Sequence, residues 1–199
     1  MTRPLWIAAL DCASLSGYAL ALASRAPELE LSPWQAIAGY LAADALSGLT
    51  HWFADTKLSE TTAVIGRVLI QPFRHHHRDP AALTRHGLLE LCGNSALFAL
   101  PLFLLPLPAT MTASMTGSLV LTNIFHKWAH QENPPAIARF LQRWRLILAP
   151  EHHARHHRRG VEAYCVTSGW CNPILDRLTN ARLSSKTEAP SAESVGATR

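Results

Sequence analysis

Four stretches of this chain stay apolar for about the 20 residues that a helix needs to cross a bilayer core. They run from Leu5 to Ser24, Trp34 to Ala54, Leu88 to Leu107 and Ala109 to Phe125. Pro106 and Pro108 mark a tight turn between the last two. The second is not uniformly apolar. Asp44, Ser47, His51 and Asp55 recur at helical spacing, and a lipid-facing helix does not tolerate such groups cheaply. Asn123, His126 and His130 make a second polar stripe at the end of the fourth. Two amphipathic pieces follow the same logic. Ala136 to Ala149 gathers Ile137, Phe140, Leu141, Trp144, Ile147 and Leu148 on one side, with Arg139, Gln142, Arg143 and Arg145 mostly opposite, as an interfacial helix does. Thr61 to Phe73 shows a weaker version. The Ser-, Ala-, Thr- and Glu-rich segment from Ser184 to Arg199 reads as a disordered tail, leaving residues 1–183 as one domain.

Composition agrees with a lipid solvent. The chain has 199 residues, is 48% hydrophobic and carries only 16% charged residues, against about 25% in ordinary globular domains. Its net charge of +4 is spread between apolar stretches, which argues against nucleic acid and for an anionic membrane face. Loop charge sets an orientation. Arg25 is the one basic residue between the first two stretches, whereas Lys57, Arg67, Arg74, Arg78 and Arg85 fall between the second and third, and Arg is frequent beyond His126. Both termini and every histidine are therefore expected on the cytosolic side. Asp11 interrupts the first apolar run and no clean cleavage site follows, so that run reads as a retained helix. Cys12, Cys92, Cys165 and Cys171 show no CxxC spacing and read as reduced thiols.

The 11 histidines fall in five clusters: His51 with Asp55, His75-His76-His77, His86, His126 with His130, and His152-His153 with His156-His157. Residues four apart share one helix face. His51/Asp55 and His126/His130 can each grip one ion, and the last cluster contains two such pairs within about 140° of arc. Neutral imidazole suits Zn, Fe, Cu and Ni. About ten imidazoles and a carboxylate are too many for one ion, since a zinc takes three or four protein ligands, and suit two. The candidate ligands are His51, Asp55, His76, His77, His126, His130, His152, His153, His156 and His157. His75, His86, Asn123 and Asp44 can serve as ligands or orient them, and Asp55 can bind metal or orient His51. The expected architecture is all-α: an integral membrane bundle of about four transmembrane helices, with cytosolic or interfacial helices carrying a His-rich dimetal site.

No dinucleotide fingerprint, P-loop or nucleophile elbow is present. Redox chemistry would then draw electrons from a separate protein. Hydrolysis would need a base, for which Glu90, Glu132, Glu151 and Glu162 are available, although HExxH is absent. A non-catalytic membrane protein that stores or senses metal is a third option.

The motifs in combination resemble the membrane lipid desaturase family that includes plasmanylethanolamine desaturase and a plant phosphatidylglycerol acyl desaturase. The similarity runs from about Trp34 to Leu178. It is carried by His51-Trp52 with Asp55, Pro72-Phe73-Arg74 with His76-His77, Asp79-Pro80, Thr84-Arg85-His86, Asn123, and His126-Lys127-Trp128-Ala129-His130. Pro150 with His152-His153-Ala154-Arg155-His156-His157, Tyr164-Cys165, Ser168-Gly169-Trp170 and Asn172 continue it. His75 stands where the family often has Glu, and Val161 where it often has His. The resemblance implies an O2-dependent, two-iron desaturase of intact phospholipid chains, with the metal site as its catalytic centre. An external cytochrome b5- or ferredoxin-like protein would supply electrons. Asp79-Pro80 and Thr84-Arg85-His86 look more like the plasmanyl branch, which turns an alkyl ether into a vinyl ether. The plant branch desaturates an acyl chain near its carboxyl end.

Overall fold

The computed structural model describes residues 4–187, and no strand occurs among the described residues. In chain order the helices are α1 (Leu5–Arg25), α2 (Pro33–Thr56), α3 (Gln71–Arg78), α4 (Leu88–Ala99), α5 (Ala109–His130), α6 (Ala136–Arg143), α7 (Pro150–Arg159) and α8 (Asn172–Thr187). Local chemistry sets many of the ends. The Ser32 side chain accepts from Gln35 N–H at the start of α2, and Pro33 occupies the first turn, where its missing N–H is harmless. Gly160, at φ 66°, closes α7 in the left-handed conformation that glycine adopts freely.

The long helices pack in the order α1, α4, α5, α2, with α8 also on α2. Small residues let helix backbones approach closely. Gly39 does so between α2 and α5: a Cβ there would lie 2.4 Å from Met111 O and 2.9 Å from Met115 N. Beside it, Ser114 Oγ donates to Ala36 O at 2.6 Å. Large apolar side chains point outward, including Leu20, Trp34, Leu88 and Leu104.

Among the described residues one helical stretch, Leu5–Glu28, is long and apolar enough to cross a membrane, with mean hydropathy 1.5. The expected second and fourth spans are single helices, but their Asp, His, Ser and Thr side chains lower their hydropathy. The expected third span is a shorter apolar piece, Leu88–Leu104. It leaves the α-helix after Ala99 and finishes as a tighter turn through Pro101, which has no N–H to continue the ladder.

Three expectations shift at element ends. The amphipathic helix from Ala136 stops at Arg143 rather than Ala149, because Arg145 turns the chain at φ 52°. That turn buries Ile147 and Leu148, and Leu148 N–H donates to Thr167 O at 2.8 Å. The Thr61 to Phe73 piece is a turn and one wide helical turn, Gly66–Ile70, leading into α3. The segment read as a tail from Ser184 begins inside α8; residues 188–199 lie outside the described residues.

Candidate metal centre

Four elements meet at one point. The last turns of α2 carry His51 and Asp55, α3 carries His76 and His77, the end of α5 carries His126 and His130, and α7 carries His153, His156 and His157. Arg74 fixes α3 against α2. Its guanidinium donates to Ala54 O at 3.2 and 3.3 Å, to Asp55 O at 3.3 Å, and to Leu58 O. It thereby satisfies the carbonyls left open at a helix C-terminus and places a cation at the negative end of the helix dipole.

The ligand atoms sort into two groups: His76, His126, His130, His153 and His157 in one, and His51, Asp55, His77 and His156 in the other, each with atoms within 4.8 Å of one another. In the first, His153 Nε2 lies 2.8 Å from His126 Nε2, 2.8 Å from His130 Nε2 and 2.9 Å from His157 Nε2. A ring nitrogen offers one proton or one lone pair, so it cannot satisfy three such neighbours. In the second, Asp55 Oδ2 sits 3.3 Å from His51 Nε2, 3.2 Å from His77 Nε2 and 3.6 Å from His156 Nε2. Buried His76 Nε2 and Asp55 Oδ1 have no hydrogen-bond partner among the described residues. Converging lone pairs and orphaned acceptors fit a cation in each group.

Protonation points the same way. Burial, with His130 and His77 nearby, holds His157 at about 3. That imidazole is therefore neutral near pH 7, the form that binds metal.

The backs of two rings are oriented by backbone. His51 Nδ1–H donates to Tyr164 O at 3.0 Å, and His156 Nδ1–H donates to Glu162 O at 2.7 Å. Each bond fixes a tautomer and turns Nε2 toward the centre. The two carbonyls flank Ala163, whose φ of 60° is left-handed and strained for a residue with a Cβ. Asp176 of α8 holds that bend by accepting from Ala163 N–H at 2.8 Å. Nothing in the histidine pattern announces Asp176 or these carbonyls. Backbone acceptors have no residue signature, and Asp176 sits on another helix. Val161, where the family pattern has His, is exposed, and both groups assemble without it.

Other candidates fall outside the two groups. His152 is turned away: Asn172 Nδ2 donates to its Nε2 at 2.8 Å and Arg155 approaches at 3.1 Å. Its i,i+4 partnership with His156 therefore does not become shared ligation. His86 pairs with Glu90 at 2.9 Å, and His75 is exposed on α3. Asn123 donates to Ser95 Oγ at 2.9 Å and Leu91 O at 3.3 Å, tying α5 to α4. Fully buried Asp44 accepts from the backbone N–H groups of Ser168, Gly169 and Cys171 at 2.7, 2.9 and 2.9 Å. It clamps the loop before α8.

A cavity of about 800 Å³ opens between α1, α3, α4 and α5. Its surface is mostly apolar, with Ile7, Leu10, Leu91 and Leu97 among its lining, but Asp11, Arg67, Gln71 and Glu90 also face it, and His76 and His126 form part of its wall. An apolar space beside buried nitrogen ligands suits chemistry on a hydrocarbon chain.

A family model described as a lipid desaturase domain matches residues 40–188. The chain belongs to this family. As a lipid desaturase-family protein it is 45% identical over 149 residues to plasmanylethanolamine desaturase of Myxococcus xanthus, covering 69% of this chain and 53% of that protein. It is 37% identical to plasmanylethanolamine desaturase 1 of Mus musculus, covering 86% of this chain and 71% of the mouse protein. It is 33% identical to fatty acid desaturase 4, chloroplastic, of Arabidopsis thaliana, over 70% of this chain and 46% of the plant protein. The chain thus spans about half the length of two of these relatives. No solved structure matches it significantly.

Proposed function

We propose that this lipid desaturase-family chain is an O2-dependent, two-iron oxidoreductase of phospholipid chains, converting an alkyl ether phospholipid to its vinyl ether. The observation that carries the reading is the pair of nitrogen-rich ligand groups set against a cavity whose surface is mostly apolar. That the Myxococcus and mouse relatives are plasmanylethanolamine desaturases supports the ether lipid as substrate. His76, His126, His130, His153 and His157 would hold one iron, and His51, Asp55, His77 and His156 the other. Iron bound there would supply the O2 chemistry, in which adjacent chain carbons would lose two hydrogens and O2 would take them up with two electrons and two protons from outside the chain, giving two waters.

The chain's own residues do the rest. Apolar walls hold the hydrocarbon and exclude water. Tyr164 O and Glu162 O keep two imidazoles facing inward. The chain carries no flavin or nicotinamide motif, so a separate redox protein of the cytochrome b5 or ferredoxin type would deliver electrons. In this reading α1, α2, α4 with its extension and α5 span the membrane, and the termini and metal site face the cytosol, where the basic segments lie.

The test is expression in a host that makes alkyl ether phospholipids but no vinyl ethers, followed by mass spectrometry of acid-labile lipids. Vinyl ether formation by the wild type, abolished in His126→Ala and His156→Ala, is expected. Unchanged vinyl ether content refutes the ether assignment; new acyl double bonds would then point to an acyl-lipid desaturase.

A further inference from the structure

The cavity beside His76 and His126 has a smaller neighbour of about 180 Å³ between α2, α4 and α5. Leu46, Phe98, Leu102 and Leu119 line the smaller space together with Ser47, Thr50, Ser95 and Thr122, and its mostly apolar surface suits a stretch of hydrocarbon. The two cavities share Phe73, Asn94 and Asn123, so these side chains form the neck between them. Phe73 also contacts both ligand groups, with its ring centroid 5.0 Å from that of His51 and 6.1 Å from that of His76. A chain threaded through the neck passes beside the metal centre.

Two carboxamides in such a neck need a reason. The middle of a hydrocarbon chain has only CH2 groups and rewards apolar walls alone; a buried amide facing it loses hydrogen bonds to water and gains none. Asn123 has a structural explanation, because its NH2 joins Ser95 and Leu91. Asn94 has none. Its Oδ1 is shielded from water and has no hydrogen-bond partner among the described residues. Rotation about Cβ–Cγ exchanges oxygen for NH2, so the group can offer an N–H as readily as a carbonyl.

We propose that Asn94 is a specificity-determining contact with the substrate, donating to the oxygen that links the oxidised chain to the lipid backbone. This rests on the phospholipid-chain reading above and deepens it. An oxygen held at the neck leaves the first chain carbons beside His76 and His126 and directs the rest into the smaller apolar cavity. Oxidation next to the linkage, rather than at mid-chain, follows from that anchor.

The experiment measures binding without turnover. Purified protein in detergent, kept anaerobic, is presented with an alkyl ether phospholipid and an analogue whose linking oxygen is replaced by CH2, and bound lipid is read by native mass spectrometry. The wild type is expected to prefer the ether lipid by about three- to tenfold, the effect of one neutral hydrogen bond. Asn94→Leu should bind the two equally while holding the methylene analogue at least as well as the wild type does. Should the leucine variant not fold, Asn94→Ala carries the same expectation. A folded variant that keeps the wild-type preference, or a wild type that has none, overturns the proposal while leaving the substrate reading intact. A wild type that binds neither lipid overturns both.

Discussion

Replacing Asp44 by asparagine tests whether this buried carboxylate is a clamp or a ligand. Its Oδ1 accepts from Ser168 and Gly169 N–H at 2.7 and 2.9 Å, and its Oδ2 from Cys171 N–H at 2.9 Å. Hydrogen bonds to a charged acceptor contribute about 1.5–3 kcal/mol each. In the asparagine variant one carboxylate oxygen becomes NH2. If the carbonyl keeps the pair of donors, the NH2 faces the Cys171 N–H, so one bond is lost and a donor meets a donor. The other two bonds lose their charge assistance. The summed loss is about 3 kcal/mol or more, which for a chain of this size lowers the thermal midpoint by about 6–12 °C. The assay is thermal unfolding in detergent, paired with metal analysis of the folded fraction. The expected result is a lower midpoint with unchanged metal per folded chain. An unchanged midpoint, or a well-folded variant that has lost one ion, would refute the reasoning.

Three further outcomes follow from the same geometry. His153→Ala should lose the ion held by the five-histidine group, whereas His152→Ala should retain both ions; metal analysis of the two purified proteins separates them. Arg74→Ala uncaps α2 and frees α3, so metal content should fall in both groups, because His76 and His77 ride on the same short helix. Asp176→Ala releases the bend at Ala163 and should weaken metal binding about 10- to 100-fold at the group containing His51 and His156, measured by competition with a chelator, with little change at the other group.

The sequence by itself determined the ingredients. Period-3.6 patterning predicted helices throughout, and i,i+4 spacing identified His51 with Asp55, His126 with His130, and His153 with His157 as pairs on single faces. Both regularities are local, since helix geometry alone fixes which side chains share a face. The same local logic missed where the chain turns. Nothing in the apolar run from Ala136 shows that Arg145 ends it, because the decision comes from burying Ile147 and Leu148 against α5 and the 163–168 segment.

What the tertiary structure decided is which pairs meet. His153 and His157 join α5 and His76, while His156, on the same helix, joins α2 and His77. That division depends on how α7 lies against the ends of α2, α3 and α5. His152 looked equivalent to its neighbours in the sequence, yet Asn172, 20 residues away, holds its ring. Asp44 lay on the same polar stripe as His51, but one end of that stripe meets the loop before α8 and the other meets the metal centre. A helix specifies its face; only packing specifies what that face touches.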